Sequence, residues 1–458
     1  VARITHAVSG VEDRSHESTS ERGHGLRTTT LLVVTSMIGS GVFTTSGLLL
    51  EDLPPLAVIV VWLVGGLVSL AGAWVYAELA VAVRESGGEY ALVSRYVHPA
   101  AGFVVGLVTF VVGFCAPIAA CAFAFARYAT AALSPTLPDP SAPASALELA
   151  IALVVIVLAS LLHAREERVA GGTNVGVLAQ DVLTVGKLAL VVVVIVLGLV
   201  ALAIDAPHDS ALATSSLEEL AHASPLAMGL GIVVSSFAYS GWNAAAYFAG
   251  EVRAPERTLP RALAGGTVLV TVLYVLVNVV FLAAAPREVL TGQIVVGHLA
   301  AEALFGSTAA RALSAVIAFG LLSTVSAFVW TGLRIVEAMG RHHAPLAFLT
   351  RRPIALTIQL ALSVGMLLSA SFDVLLGSVG FALSVASALT VLAVFEVRRR
   401  GEARYRAPLH PLPALFYLAL MVGVVLATLV ERPILALAGA VPTVLGLVGY
   451  AVVTRKTK

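Results

Sequence analysis

From residue 28 onward the chain is a succession of long uncharged stretches, with nearly all of its charge gathered into the short segments between them. Such blocks dictate the solvent. At 1.5 Å of rise per residue, about 20 apolar residues cross the ~30 Å hydrocarbon layer of a bilayer. Backbone polar groups in that layer must be paired within the segment, so runs of this length are helices. Twelve spans are predicted, at residues 28–50, 55–83, 100–133, 146–163, 174–203, 223–249, 262–285, 308–339, 353–370, 374–396, 412–430 and 433–453. Charged residues make up 12% of the chain, against about 25% in an ordinary soluble domain. The spans therefore form one membrane bundle. Residues 288–305 are too short and mixed to cross and read as a surface or re-entrant helix.

Charge sets the orientation. With the amino terminus assigned to the cytoplasm, 23 of the 28 Lys and Arg residues fall in inner segments or at inner span ends, Arg127, Arg287, Arg311 and Arg432 lie towards the outside, and Lys187 alone lies deep within a span. This bias predicts both termini in the cytoplasm of a cell-membrane protein. Residues 1–27 and 454–458 read as cytoplasmic tails, the first without the apolar core of a signal peptide. The net charge of +1 gives no reason to expect nucleic acid. Cys115 and Cys121, six residues apart in one span, form neither a disulfide framework nor a zinc-ligand spacing, and no metal or cofactor is expected. An enzyme would need acid, base or nucleophile clustered at one interface. The eleven histidines instead fall in tails, loops and span ends, so the sequence does not read as an enzyme.

Two spans are interrupted where a helix should be strongest. The first carries "IGSGVF" at 38–43 and the sixth "AYSGWN" at 238–243. Glycine costs a helix about 1 kcal/mol relative to alanine. Gly-x-Gly in a membrane helix also serves as a close-packing surface, but the matching interruption five spans later favours unwinding. Five is odd, so two copies of this unit enter the membrane in opposite directions, as an inverted repeat does. Residues 28–203 form the first copy, 223–397 the second, and two spans at 411–453 stand outside. An unwound stretch offers free N–H groups and the positive end of a half-helix to a carboxylate, and free carbonyls to an ammonium group. A free amino acid supplies both charges.

"MIGSGVF", "GGLVSLAGAWVYAELAVAVRESGGEYALVSRYV" and "FAYSGWNAAAYFAGEVRAPERTLPRAL" together resemble the amino acid–polyamine–organocation superfamily, and its L-amino-acid transporter branch in particular, over roughly residues 28–397. The resemblance implies an all-α, LeuT-type 5+5 inverted repeat with broken first and sixth helices, and alternating access of one site to the two sides of the membrane. It implies that Ile38, Gly39, Ser40 and Gly41 hold the substrate carboxylate and part of its amine. Phe237, Ala238 and Ser240 complete the amine site, with Phe237 as an aromatic gate on the outer side. From the residues alone Phe237 reads as a packing side chain. Asn243 either lines the side-chain pocket or caps the second half-helix.

Lys187 lies about 20 Å from the start of its span at 1.5 Å per residue. A charge at such depth costs at least ~2.5 to 3.5 kcal/mol and calls for a partner. By the resemblance its ammonium stands where sodium-coupled relatives bind sodium, bonding carbonyls of the first span and hydroxyls among Ser323, Thr324 and Ser326. That implies sodium independence. Glu78 and Glu251, near inner span ends, read as partners of loop arginines, and Asp181 as a cap or loop contact.

The expected function is secondary transport of neutral L-amino acids, by exchange or proton-linked uptake. No acidic side chain is predicted at mid-span beside either interruption, so a cationic substrate lacks a counter-charge. A polyamine or cationic amino acid permease is the alternative, and a non-transporting sensor follows it. The loop "SPTLPDPSAP" holds no cysteine, so no disulfide to an ancillary subunit is expected.

Overall fold

Low charge and apolar runs become helix throughout a computed structural model of the chain, which describes residues 23–134, 144–164, 175–369 and 372–455. The predicted tail up to residue 22, the loop at 135–143, the segment with Arg165 and Arg168, residues 456–458 and the side chain of Asp181 lie outside the described residues. The first crossing is split into α1 (Leu26–Met37) and α2 (Gly41–Asp52). There follow α3 (Pro55–Val83), a short α4 (Glu89–Tyr96), α5 (Pro99–Leu133), α6 (Ala146–Leu162), α7 (Val175–Ile204) and α8 (Leu217–Ala221). α9 (Pro225–Tyr239) is continued, after a break, by 3-10 turns at Ala244–Glu251. Then come α10 (Pro255–Ala284), α11 (Arg287–Leu290), α12 (Val296–Phe305), α13 (Ser307–His342), α14 (Arg352–Ser369), α15 (Phe372–Arg399), α16 (Leu412–Glu431) and α17 (Pro433–Arg455).

Among the described residues nine helical stretches are long and apolar enough to cross a bilayer. This is an all-α membrane protein. Its layers are legible in burial: the most apolar window of α5 is 89% buried and that of α1–α2 83%, whereas α7 and α14 each reach 28% and turn their remaining apolar surface to lipid. α5 and α13 pack along one another at the centre. Helix starts follow ordinary chemistry, with proline in the first turn of α3, α9, α10 and α16. Ser145 and Glu148 form a capping box on α6.

Three local features differ from the expectation. The 288–305 segment is two short helices in place of one, and α12 buries Val296, His298 and Ala300 against the bundle while Glu302 and Phe305 stay exposed. α5 contains a π-helical stretch at Thr109–Cys115, where one extra residue per turn shifts the register of facing side chains. The part of the sixth segment after its break, Ala244–Glu251, winds as 3-10 and not α.

The segments rich in arginine gather at one end. Arg398 reaches Glu78 through two bonds of 2.6 and 2.7 Å, Arg334 reaches Glu251 at 3.3 Å, and Arg84 pairs with Glu256. Both glutamates thus take arginine partners. At this end the Tyr96 hydroxyl, with Arg95 and Arg400, holds the Glu402 carboxyl below its usual range. The opposite end has Arg287 on the carbonyls of Leu50 and Leu53, and Arg127 with Glu148.

Candidate functional site

The helix of α1 stops at Met37, and Ile38 leaves helical geometry with ψ 86°. Among the described residues the amides of Gly39 and Ser40 donate to no backbone carbonyl. The helix resumes at Gly41, whose first turn points its amides back into the gap. The second break follows Tyr239: Ser240 is extended, and Gly241 takes φ +97°, a conformation that glycine adopts without strain. A β-carbon at Gly241 would stand 2.4 Å from the Ser36 carbonyl oxygen, and one at Gly41 2.4 Å from the Ala238 β-carbon. The two breaks touch. Glycine at both positions is what lets the backbones meet.

The negative end of α1 is neutralised from within the protein. Lys187 of α7, 3% exposed, donates to the carbonyls of Thr35 at 2.9 Å and Ile38 at 2.6 Å, and to Thr324 Oγ1 at 3.0 Å. Thr324 itself donates to Ile38 O at 2.9 Å. Ser326 instead pairs with His163 at 2.8 Å, and Ser323 is buried one residue before Thr324. The Tyr274 hydroxyl of α10 sits between the carbonyls of Met37 and Ala238 and ties one break to the other. No sequence signal singled out that tyrosine.

Ile38, Ser40 and Ala238 are buried where the breaks meet, and Ser40 Oγ lies 3.4 Å from Cys121 Sγ. Beside them opens a small cavity. Of the predicted residues Ser240 and Asn243 line it; Phe237 is buried in the last turn of α9 and does not. The Asn243 side chain makes no capping bond, which removes the capping alternative. Its amide donates instead to Glu89 Oε1 at 3.0 Å.

Glu89 corrects the expectation that no carboxylate stands beside the breaks. It is 1% exposed on the cavity wall and also accepts from Tyr76 at 2.5 Å and Thr109 at 2.7 Å. A search for charge within spans misses it, because it opens the short α4 in a loop. The signal was the "SGGEY" turn: Gly87 and Gly88 both have positive φ and fold α4 back among the spans.

With the breaks, the buried lysine and the cavity in place, comparison with known proteins decides the family. Residues 25–451 match the family described as amino acid permease. The chain belongs to that family. Its members here are transporters and not enzymes. This permease family member is 29% identical over 401 residues to the serine/threonine exchanger SteT of Bacillus subtilis (strain 168), covering 84% of this chain and 86% of that protein. It is 30% identical over 299 residues to the large neutral amino acids transporter small subunit 2 of Homo sapiens, covering 63% of this chain and 54% of that protein. The Asc-type amino acid transporter 1 of Mus musculus is 27% identical over 392 residues, with 83% and 71% covered. The chain thus spans most of the bacterial relative and about half of the human one.

Proposed function

We propose that the chain moves neutral L-amino acids across the cell membrane by alternating access, independently of sodium, by exchange or proton-linked uptake. Its twelve spans form a LeuT-type 5+5 inverted repeat, residues 28–203 and 223–397, with two further spans at 411–453 and both termini cytoplasmic. The observation that carries this reading is the meeting of two broken helices whose ends have opposite polarity. The amides of Gly39, Ser40 and Gly41 head the positive end of α2 and receive the substrate carboxylate, with Ile38 beside them. The ammonium group sits against the carbonyl end of α9, at Phe237, Ala238 and Ser240. Phe237 covers the site from outside once substrate is bound. The side chain extends into the cavity past Asn243.

Lys187 supports sodium independence. Its ammonium already occupies the oxygen cluster of Thr35, Ile38 and Thr324, leaving a cation nothing to coordinate there. The names of the relatives, which specify serine, threonine and large neutral amino acids, support a neutral substrate. A second reading, a cationic amino acid, is favoured by one observation, the Glu89 carboxylate on the cavity wall. The chain works without a disulfide-linked subunit, as both its cysteines are buried.

The test is uptake of labelled amino acids into proteoliposomes, with and without internal amino acid, sodium and a pH gradient. Uptake is expected to persist when sodium is replaced by choline and to rise with internal amino acid or an inward proton gradient. Strict sodium dependence overturns the role given to Lys187.

A further inference from the structure

The cavity wall carries the carboxyl group of Glu89, with no cation facing it among the described residues. Glu89 forms no ion pair among the described residues, and its three partners, Tyr76, Thr109 and Asn243, are neutral donors. Two other buried groups face the same space without a partner: Ser36 Oγ on α1 and Thr331 Oγ1 on α13, each 2% exposed. A buried polar atom without a partner is costly, and a buried charge more so. Three elements, α1, α4 and α13, therefore present unmet hydrogen-bonding or charge demand to one volume. Protein interiors leave such demand where something else arrives to meet it.

Resting on the transport reading above, we propose that Glu89 is the charge filter of the site. It admits amino acids whose side chain brings a hydroxyl, an amide or an ammonium group towards Ser36 and Thr331, and it rejects those whose side chain is a carboxylate. The reasoning is electrostatic. Like charges in a cavity walled by apolar helices repel far more strongly than in water, because little solvent screens them. A donor on the substrate can take the remaining acceptor capacity of the Glu89 oxygens, while a second carboxylate can only add charge. Three fixed donors hold Glu89 in place, so it cannot swing away to relieve the repulsion. Asn243 links it to the sixth-segment break, so the filter belongs to the same wall as the site that receives the amine.

Isosteric ligands separate charge from shape. Uptake of labelled serine into proteoliposomes of the full chain is competed with glutamine against glutamate, asparagine against aspartate, and lysine. In the wild type the half-inhibiting concentration of glutamate is expected to exceed that of glutamine by at least about tenfold. In Glu89→Gln that ratio falls towards one and lysine weakens relative to glutamine; Glu89→Asp keeps the wild-type ordering. The wild-type ratio needs no variant, so parity between glutamate and glutamine overturns the filter even if Glu89→Gln fails to fold. An unchanged ratio in a folded Glu89→Gln overturns it equally. A wild type that moves serine but treats the pairs alike sinks the filter alone, whereas one that moves no amino acid sinks the transport reading and the filter with it.

Discussion

At the scale of single residues, the site depends on missing atoms and on one extra charge. Gly41 has no side chain where a β-carbon would lie 2.4 Å from that of Ala238. Gly41→Ala pushes the breaks apart, and overpacking of this kind costs about 1–3 kcal/mol. We expect a lower thermal midpoint in detergent and serine uptake reduced by about tenfold or more, since small misplacements at a site are amplified in rate. Lys187 is the converse case. Removing its ammonium takes a donor from the carbonyls of Thr35 and Ile38, the latter keeping Thr324, and opens a void beside them; a buried group left unsatisfied costs about 1–3 kcal/mol. Lys187→Ala is expected to lose most uptake, and Lys187→Met, which restores bulk without donors, to recover stability only in part. Uptake unchanged in Lys187→Ala would remove the lysine from the site. Lys187 was legible in the sequence because a lone charge deep in an apolar run calls for a partner. Glu89 was not, because its depth comes from a turn that folds a loop inward, and hydropathy along the chain carries no record of that fold. Tyr274 was silent for a third reason: a tyrosine in an apolar span is unremarkable until its hydroxyl is seen between two broken ends.

At the scale of elements, hydropathy located the long helices to within a few residues, apart from α10, which starts seven residues before its predicted span, since length and low charge are local properties. It could not register the 3-10 winding of Ala244–Glu251 or the π-helical turn at Thr109–Cys115, which arise from packing and leave no periodic signature. How the arginine-rich ends of elements are clamped is likewise a matter of contact. Glu78 near the end of α3 is wholly buried and takes both Arg398 nitrogens from α15, at 2.6 and 2.7 Å, and the amide of Ala407 at 2.7 Å. Arg398→Ala strands that carboxylate, and breaking a buried pair by removing one partner costs about 3–5 kcal/mol. The expected reading is a marked fall in the detergent thermal midpoint. Arg398→Lys should recover only part of it, because an ammonium cannot make the two-pronged bond. A midpoint within error of the wild type in Arg398→Ala would show that the clamp carries no stability.

At the scale of the whole molecule, the same separation that sets the site inside sets the reactive groups out of reach. The central α5 is 89% buried over its most apolar window and α13 67%, while the outer α7 and α14 reach 28% and give their apolar faces to lipid. Cys115 and Cys121 both belong to the central α5, at 0% and 1% exposure, and both are free. A disulfide needs its two Cα atoms within about 7 Å. No second chain can bring a backbone so close to α5 without parting the helices around it. Burial also keeps reagents away from a thiol. The folded chain in detergent is therefore expected to run at the same position in reducing and non-reducing electrophoresis. It should label with maleimide at a rate at least about tenfold below that of the denatured chain, since access to a buried thiol waits on opening of the fold. Alternating access adds one discriminating expectation. Ser40 of the first break covers Cys121 at 3.4 Å, whereas Cys115 lies a turn and a half away in the π-helical stretch. If the breaks part during transport, substrate should change the labelling of Cys121 more than that of Cys115, measured by single-cysteine variants in proteoliposomes. Equal protection of the two, with and without substrate, would mean that the contact between the breaks does not move in the cycle.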